Sequence, residues 1–122
     1  MVTRQYHPVV VSAIVQEQAA QVSEDLAALA EPHRLLMLRQ LRRGPRTAGY
    51  LARALDITPS LASHHLALLE RADLVQRRRI GTYICYAANT AKVRALHERL
   101  GRMAGATGAA GEHAAALASE PC

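Results

Sequence analysis

The stretch Thr58-Pro-Ser-Leu-Ala-Ser-His-His-Leu-Ala-Leu-Leu-Glu-Arg71 constrains this chain more than any other. Thr58 carries a hydroxyl that can cap a helix N-terminus. Pro59 suits the first helical position, where the N–H that proline lacks has no partner. At about 100° per residue, Ala62, Leu66 and Leu69 gather on one side with His65 at their edge. Ser60, Ser63, His64 and Ala67 gather on the opposite side. That second face is small and polar and lies at the N-terminal end. There the helix dipole favours anions, and short side chains can approach phosphates and base edges without steric conflict. The pattern predicts a DNA recognition helix.

The segments before it predict its partner. Pro32 to Arg42 reads as a short helix with Leu35, Leu36, Leu38 and Leu41 apolar, closed by Gly44 and Pro45. Thr47 then caps another short helix whose apolar contacts come from Tyr50, Leu51 and Leu55. Asp56 stands where a left-handed residue is expected, a conformation Asp tolerates better than most non-glycine residues. Two short helices joined by such a turn make a helix-turn-helix. Further upstream, Val15, Ala19, Val22, Leu26 and Leu29 step by four and three along a helix from about Ser12 to Leu29. Its one apolar face can pack on the chain's own core or against a second copy. Residues 1–11, with Pro8 and three consecutive valines, read as an irregular arm.

Downstream, Asp73 again occupies a glycine-like position. Leu74-Val75 opens an extended segment, Gln76-Arg-Arg-Arg79-Ile80 runs into Gly81-Thr82, and Tyr83-Ile-Cys-Tyr86 returns. This predicts a hairpin tipped by Gly81-Thr82, a wing whose Arg77, Arg78 and Arg79 can reach backbone phosphate or a narrow minor groove. The competing reading is an ordinary solvated charge run. Asn89 or Thr90 caps a last helix to about Met103, with Val93, Leu96 and Leu100 on one face, suited to pair with the helix over 12–29 in a dimer. The domain therefore spans 12–103, and 104–122 is an Ala- and Gly-rich tail.

Composition narrows the class. The 122 residues carry a net charge of +5, which favours a polyanionic partner, and the pI is about 9.9. Half of the residues are apolar, yet there is no Phe or Trp, so Ala and Leu must fill a core of close-packed helices. Two cysteines, Cys85 and Cys122, make neither a disulfide framework nor a Cys-x-x-Cys site, so a reducing, cytoplasmic setting is expected. The longest apolar run, over residues 9–15, is too short to cross a membrane and leads directly into an amphipathic helix, which argues against a targeting segment. No strand-borne nucleophile, Gly-rich phosphate loop or convergent carboxylate pair points to an enzyme.

Taken in order, Leu29-Ala-Glu-Pro-His-Arg-Leu-Leu-Met-Leu38, Tyr50-Leu-Ala-Arg-Ala-Leu-Asp-Ile-Thr58, Ser63-His-His-Leu-Ala-Leu-Leu69 and the wing from Leu74 through the arginines and Gly81 to Tyr86 resemble the ArsR/SmtB family over roughly residues 20–100. The resemblance implies a mainly α fold with a small β-wing: four helices, a two-stranded wing and a fifth helix, a winged helix-turn-helix that dimerises through its first and last helices. It also implies repression at a palindromic double-stranded DNA operator, released by a metal, metalloid or other inducer. Thr47, Thr58, Ser60, Ser63, His64, Arg77, Arg78 and Arg79 are then the DNA-contacting candidates.

Two metal sites common in that family have no counterpart in the sequence. The segment that often carries Cys-x-Cys reads Pro45-Arg-Thr-Ala-Gly-Tyr50, and the positions of the other site correspond to Asn89, Ala91, Arg102 and Gly105. The remaining candidates for a divalent ion such as nickel or zinc are His97 with Glu98, joined by His7 or Glu112-His113 from the chain ends. His64 and His65 are adjacent and point about 100° apart, a poor chelating pair. His33, in the first turn of its helix, is expected to face solvent. Cys85 and Cys122 read as a buried structural thiol and an incidental terminal one. A winged-helix module that binds DNA only with a co-regulatory partner protein, and senses no metal, is the alternative.

Overall fold

Each of the five helices among the described residues opens on a side-chain cap, and those caps set the frame. In the computed structural model, which describes residues 8–106, α1 (Ala13–Leu29), α2 (Pro32–Leu41), β1 (Arg46–Thr47), α3 (Ala48–Leu55), α4 (Pro59–Arg71), β2 (Val75–Ile80), β3 (Tyr83–Ala88) and α5 (Thr90–Met103) follow one another. Ser12 accepts the Val15 amide at 3.3 Å, Glu31 that of Arg34 at 3.1 Å, and Thr47 that of Tyr50 at 3.1 Å. Thr58 accepts from Leu61 at 3.1 Å and Asn89 from Lys92 at 3.2 Å. Each satisfies one otherwise orphaned amide and stabilises its helix by about 1 kcal/mol. Asp56 and Asp73 both adopt the left-handed conformation, at φ 54° and 60°, as their positions in the sequence predict.

The core lies where α2, α3 and α4 meet. Met37, Leu51, Leu66, Leu69, Leu74 and Val75 are fully buried, with Ala52 and Ala62 allowing close helix approach and Val22 and Leu96 closing the cluster from α1 and α5. The leucines of α2 do not all face inward, contrary to what their apolar character suggests. In α2 the inward stripe is Met37 and Leu41, one turn apart, with Leu38 half-buried beside them. Leu35 and Leu36 are 53% and 43% exposed. The helix carries more leucines than one face can bury, so composition alone could not choose among them. Tyr50 is also exposed rather than packed, its ring lying 5.0 Å from the Arg46 guanidinium.

The sheet differs from the expected hairpin by one strand. β2 and β3 pair antiparallel from Val75↔Ala88 to Ile80↔Tyr83 around the Gly81-Thr82 tip, as predicted. Arg46 and Thr47, expected only to restart the chain and cap α3, also form β1, which pairs with β3 through Arg46↔Tyr86 and Thr47↔Cys85. Two residues are too few to show alternation, so periodicity could not reveal this strand.

Along α1 only Val22 and Asp25 are buried, whereas Val15 and Leu26 of the predicted stripe are exposed. Asp25 anchors the helix to α5. Its carboxylate accepts from Arg99 Nη2 at 3.1 Å and lies 3.4 Å from Lys92 Nζ. Leu100 and Met103 of α5 are likewise exposed. The first and last helices therefore touch through an ion triad and leave large apolar side chains outside.

Candidate nucleic-acid interface

The HTH is built by α3, the turn at Asp56 and α4. The Asp56 and Ile57 amides both reach the Ala52 carbonyl region, closing α3 and allowing Thr58 to start α4 two residues later. α4 turns Ala62, His65, Leu66 and Leu69 into the core and leaves Thr58, Ser60, Ser63, His64 and Ala67 exposed. The small polar face predicted from the sequence is therefore the outward one. Thr47 and Thr58 commit a hydroxyl lone pair to capping, and each O–H remains a donor.

The wing arginines are exposed but do not form one patch. Residues two apart in a strand share a face, so Arg77 and Arg79 lie on the Val75 side of β2. Val75 is buried in the shared core, and Tyr86 and Ala88, its neighbours on the same face of β3, pack against that core, so that side of the hairpin is the one that meets the helices at its root. Arg78 lies on the opposite side with Gln76, and its Nη2 donates to Gln76 Oε1 at 3.4 Å.

The residues expected to hold metal fare differently. His97 is exposed on α5, at the rim of an open, mostly apolar cleft of about 340 Å³ between α2, β3 and α5. Leu38, Ala88 and Val93 form its walls. Among the described residues, no convergent group of three metal-ligating side chains includes His97. His7, Glu112, His113 and Cys122 lie outside the described residues. Cys85 is a half-buried free thiol in β3.

What the sequence reading missed is a cluster beneath the recognition helix. His33 does not face solvent freely: its Nδ1 is 3.3 Å from Glu31 Oε1, and its ring centroid is 5.5 Å from that of His65. His65, only 5% exposed, places Nε2 3.7 Å from Glu31 Oε2 and Nδ1 3.1 Å from Arg34 Nη1. One nitrogen or oxygen from each of Glu31, His33 and His65 lies within 4.8 Å of the other two. Arg34 also donates through Nε to the Ala28 carbonyl, joining the end of α1 to the same network. The partner of His65 is thus 34 residues away in sequence, not its neighbour His64. Only the position of His65 at the edge of the apolar stripe, and the Glu31-Pro32-His33 spacing across a helix start, hinted at it.

Burial pushes the His65 imidazole below its ordinary value, with the Glu31 charge opposing and Arg34 reinforcing. For Glu31, partial burial acts upward, but the Arg34 amide and the two imidazoles outweigh it and hold the carboxyl low.

Comparison with known proteins gives the arrangement a lineage. Residues 31–77, from the cap of α2 to the first wing arginine, match the family model described as bacterial regulatory protein, arsR family. The chain is 44% identical over 71 residues to the HTH-type transcriptional regulator NmtR of Mycobacterium tuberculosis, covering 58% of this chain and 59% of that protein. It is 37% identical over 84 residues to a Transcriptional repressor SmtB homolog of Synechocystis, covering 69% of this chain and 61% of that protein. The match thus spans about three fifths of each of these relatives. Among solved structures, NolR from Sinorhizobium fredii superposes with a TM-score of 0.67 at 30% identity, covering 82% of this chain and 100% of that one. The homodimeric winged helix-turn-helix domain of Mb0332 from Mycobacterium bovis gives 0.62 at 30% identity, over 71% of this chain and 82% of that one. Among the described residues, no helix is long and apolar enough to cross a membrane. With its winged helix-turn-helix, its sequence match over the same elements and relatives of this kind, the chain belongs to the ArsR family of bacterial regulatory proteins.

Proposed function

We propose that this chain is a sequence-specific transcriptional repressor that binds a palindromic operator as a homodimer and is released by a small effector, a divalent metal ion. The observation that carries the reading is the outward face of α4. A helix anchored by Ala62, His65, Leu66 and Leu69 presents Ser60, Ser63 and His64 from its first two turns, beside a strand bearing three exposed arginines. In this reading Ser60, Ser63 and His64 approach base edges. Thr47, Thr58, Arg77 and Arg79 contact backbone phosphate, which fixes register without reading sequence, whereas Arg78, on the other face of β2 against Gln76, stands behind them. The exposed apolar side chains of α1 and α5, among them Val15, Leu26, Leu100 and Met103, form the dimer face. Two recognition helices then enter major grooves one helical turn apart, about 34 Å. Residues 12–103 form the DNA-binding and dimerisation unit, flanked by the arm over 1–11 and the tail over 104–122, and the protein acts in the cytoplasm.

The relatives support this by name: one is a transcriptional regulator, another a transcriptional repressor, and a structural neighbour is a homodimer. The test is fluorescence anisotropy of the full chain on DNA from upstream of its own gene, against a scrambled duplex of equal length. Binding at least a hundredfold tighter to the native duplex is expected. Equal affinity for both duplexes at 150 mM salt would remove the sequence-specific reading.

A further inference from the structure

The cluster under α4 is built from the residue types and separations of a metal site, and one of its members is held by a competitor. In a tetrahedral site with ligand bonds of about 2.0–2.1 Å, neighbouring ligand atoms stand about 3.3 Å apart. His33 Nδ1 and Glu31 Oε1 are 3.3 Å apart and His65 Nε2 and Glu31 Oε2 3.7 Å, each imidazole on its own oxygen of the carboxylate, and one ligand atom from each of the three residues lies within 4.8 Å of the others, so modest side-chain shifts close them on one ion. Two imidazoles and a carboxylate suit first-row divalent ions of borderline softness. Glu31 and His33 are partly exposed, which leaves a path from solvent and room for a water as fourth ligand.

Arg34 makes the site conditional. A guanidinium only donates, so the contact of 3.1 Å from Arg34 Nη1 requires His65 Nδ1 to accept, which places the single ring proton on Nε2. Nε2 is the atom that faces Glu31 and would ligate. For Nε2 to hold a cation, the ring proton must move to Nδ1, where Arg34 then meets an N–H with its own N–H. A ligating histidine instead directs its second N–H at an acceptor. The cation and Arg34 therefore cannot hold His65 together.

We propose that Glu31, His33 and His65 bind one first-row divalent cation per chain in exclusion of the Arg34–His65 contact. Because Glu31 and His33 belong to the start of α2 and His65 to the recognition helix, occupying the site replaces the Arg34 contact by coordination that bridges the same two helices, and so resets how α4 is held against α2. If the chain is the effector-released repressor described above, this is how an ion bound in the core lowers DNA affinity: it favours the arrangement without the Arg34 contact, and the coupling is reciprocal. The site is distinct from His97 on the far helix.

Cobalt(II) titration of the full chain tests it, following visible ligand-field absorption, with zinc added as competitor. One equivalent per chain is expected, displaced by zinc. His33→Ala and Glu31→Gln should each weaken cobalt binding at least tenfold; the amide oxygen of Gln still caps α2. His97→Ala should leave it unchanged. Arg34→Met, which removes the competitor, should tighten cobalt binding. Far-UV circular dichroism of each variant separates lost ligation from lost fold. No absorption at equimolar cobalt in the micromolar range, or a spectrum indifferent to His33→Ala and Glu31→Gln but abolished by His97→Ala, overturns the site. Unchanged or weaker cobalt binding by folded Arg34→Met overturns the competition. Anisotropy on the upstream duplex is read separately. Its failure to show sequence-specific binding would count against the repressor reading, while the cobalt spectra still decide the site.

Discussion

Replacing Arg77 and Arg79 together by Ala, and Arg78 alone by Ala, separates the two faces of β2 in a DNA-binding assay. The structure makes these changes unequal. Arg77 and Arg79 share the Val75 face, which meets the helical core at its root, whereas Arg78 lies on the other face against Gln76. A dimer thus offers four arginines on the inner faces of its two wings. If each neutralises one phosphate, their loss reduces the slope of log affinity against log salt by about 3.6. Between 50 and 200 mM salt, the wild type then loses about two decades more affinity than the double variant. Arg78→Ala should change the slope by about 0.5 or less, on the same scale. The assay is anisotropy on one operator duplex at four salt concentrations. An equal fall in slope for Arg78→Ala, or none for the pair, would refute the assignment of the inner face to DNA.

Three further outcomes follow from the fold. Asp25→Asn leaves Lys92 and Arg99 facing an uncharged group between α1 and α5. Breaking a fully buried pair costs 3–5 kcal/mol, and since both cations are about a quarter exposed, a loss of about 2 kcal/mol in urea denaturation is expected; an unchanged midpoint would show that the triad contributes nothing. The pH dependence has one sign. His65 is held below 6.5, so as pH falls past that value the unfolded chain takes up a proton that the native chain resists, and stability declines. Glu31, held below 4.5, adds stability at neutral pH that is lost on further acidification. The urea midpoint should therefore fall between pH 7.5 and 5.5, less so in His65→Gln, and a midpoint that rises over this range contradicts the burial argument. Finally, Asp56→Gly relieves a left-handed non-glycine residue at φ 54°, offset by greater freedom in the unfolded chain. A gain of about 0.5 kcal/mol is expected, and a loss above about 1 kcal/mol would mean that the Asp side chain itself supports the turn.

Much of this fold was legible because local chemistry and global packing agree. Thr47, Thr58 and Asn89 announce helix starts that the structure places there, and Asp56 and Asp73 mark turns whose dihedrals they adopt. The outward face of α4 followed from spacing alone, since Ala62, Leu66 and Leu69 leave one way for Ser60, Ser63 and His64 to point. The illegible parts depend on contacts remote in sequence. β1 exists because β3 returns beside Arg46 and Thr47, and nothing in those two residues requires it. Met37 displaced Leu35 and Leu36 from the core through the rotation of α2 against α3 and α4, a choice that hydrophobicity leaves open. The Glu31–His33–His65 group needs the N-terminus of α2 set under the middle of α4, and a histidine beside an apolar stripe does not reveal its neighbours.

The short strand β1 has a mechanical consequence. Thr47 is at once the cap of α3 and the register partner of Cys85 in the return strand of the wing, so the first helix of the HTH and the wing are stitched at one residue. On the other side, β2 runs directly from the end of α4 with Val75 buried in the shared core. The hairpin is thus clamped at both of its roots, and within one subunit the reach from recognition helix to wing behaves as a fixed calliper. In the dimer proposed above, a second copy adds the adjustable joint. Tolerance for the number of base pairs between half-sites would then be set by how α1 and α5 meet their mates, and mutations that change it would belong on those helices rather than on the face proposed to touch DNA.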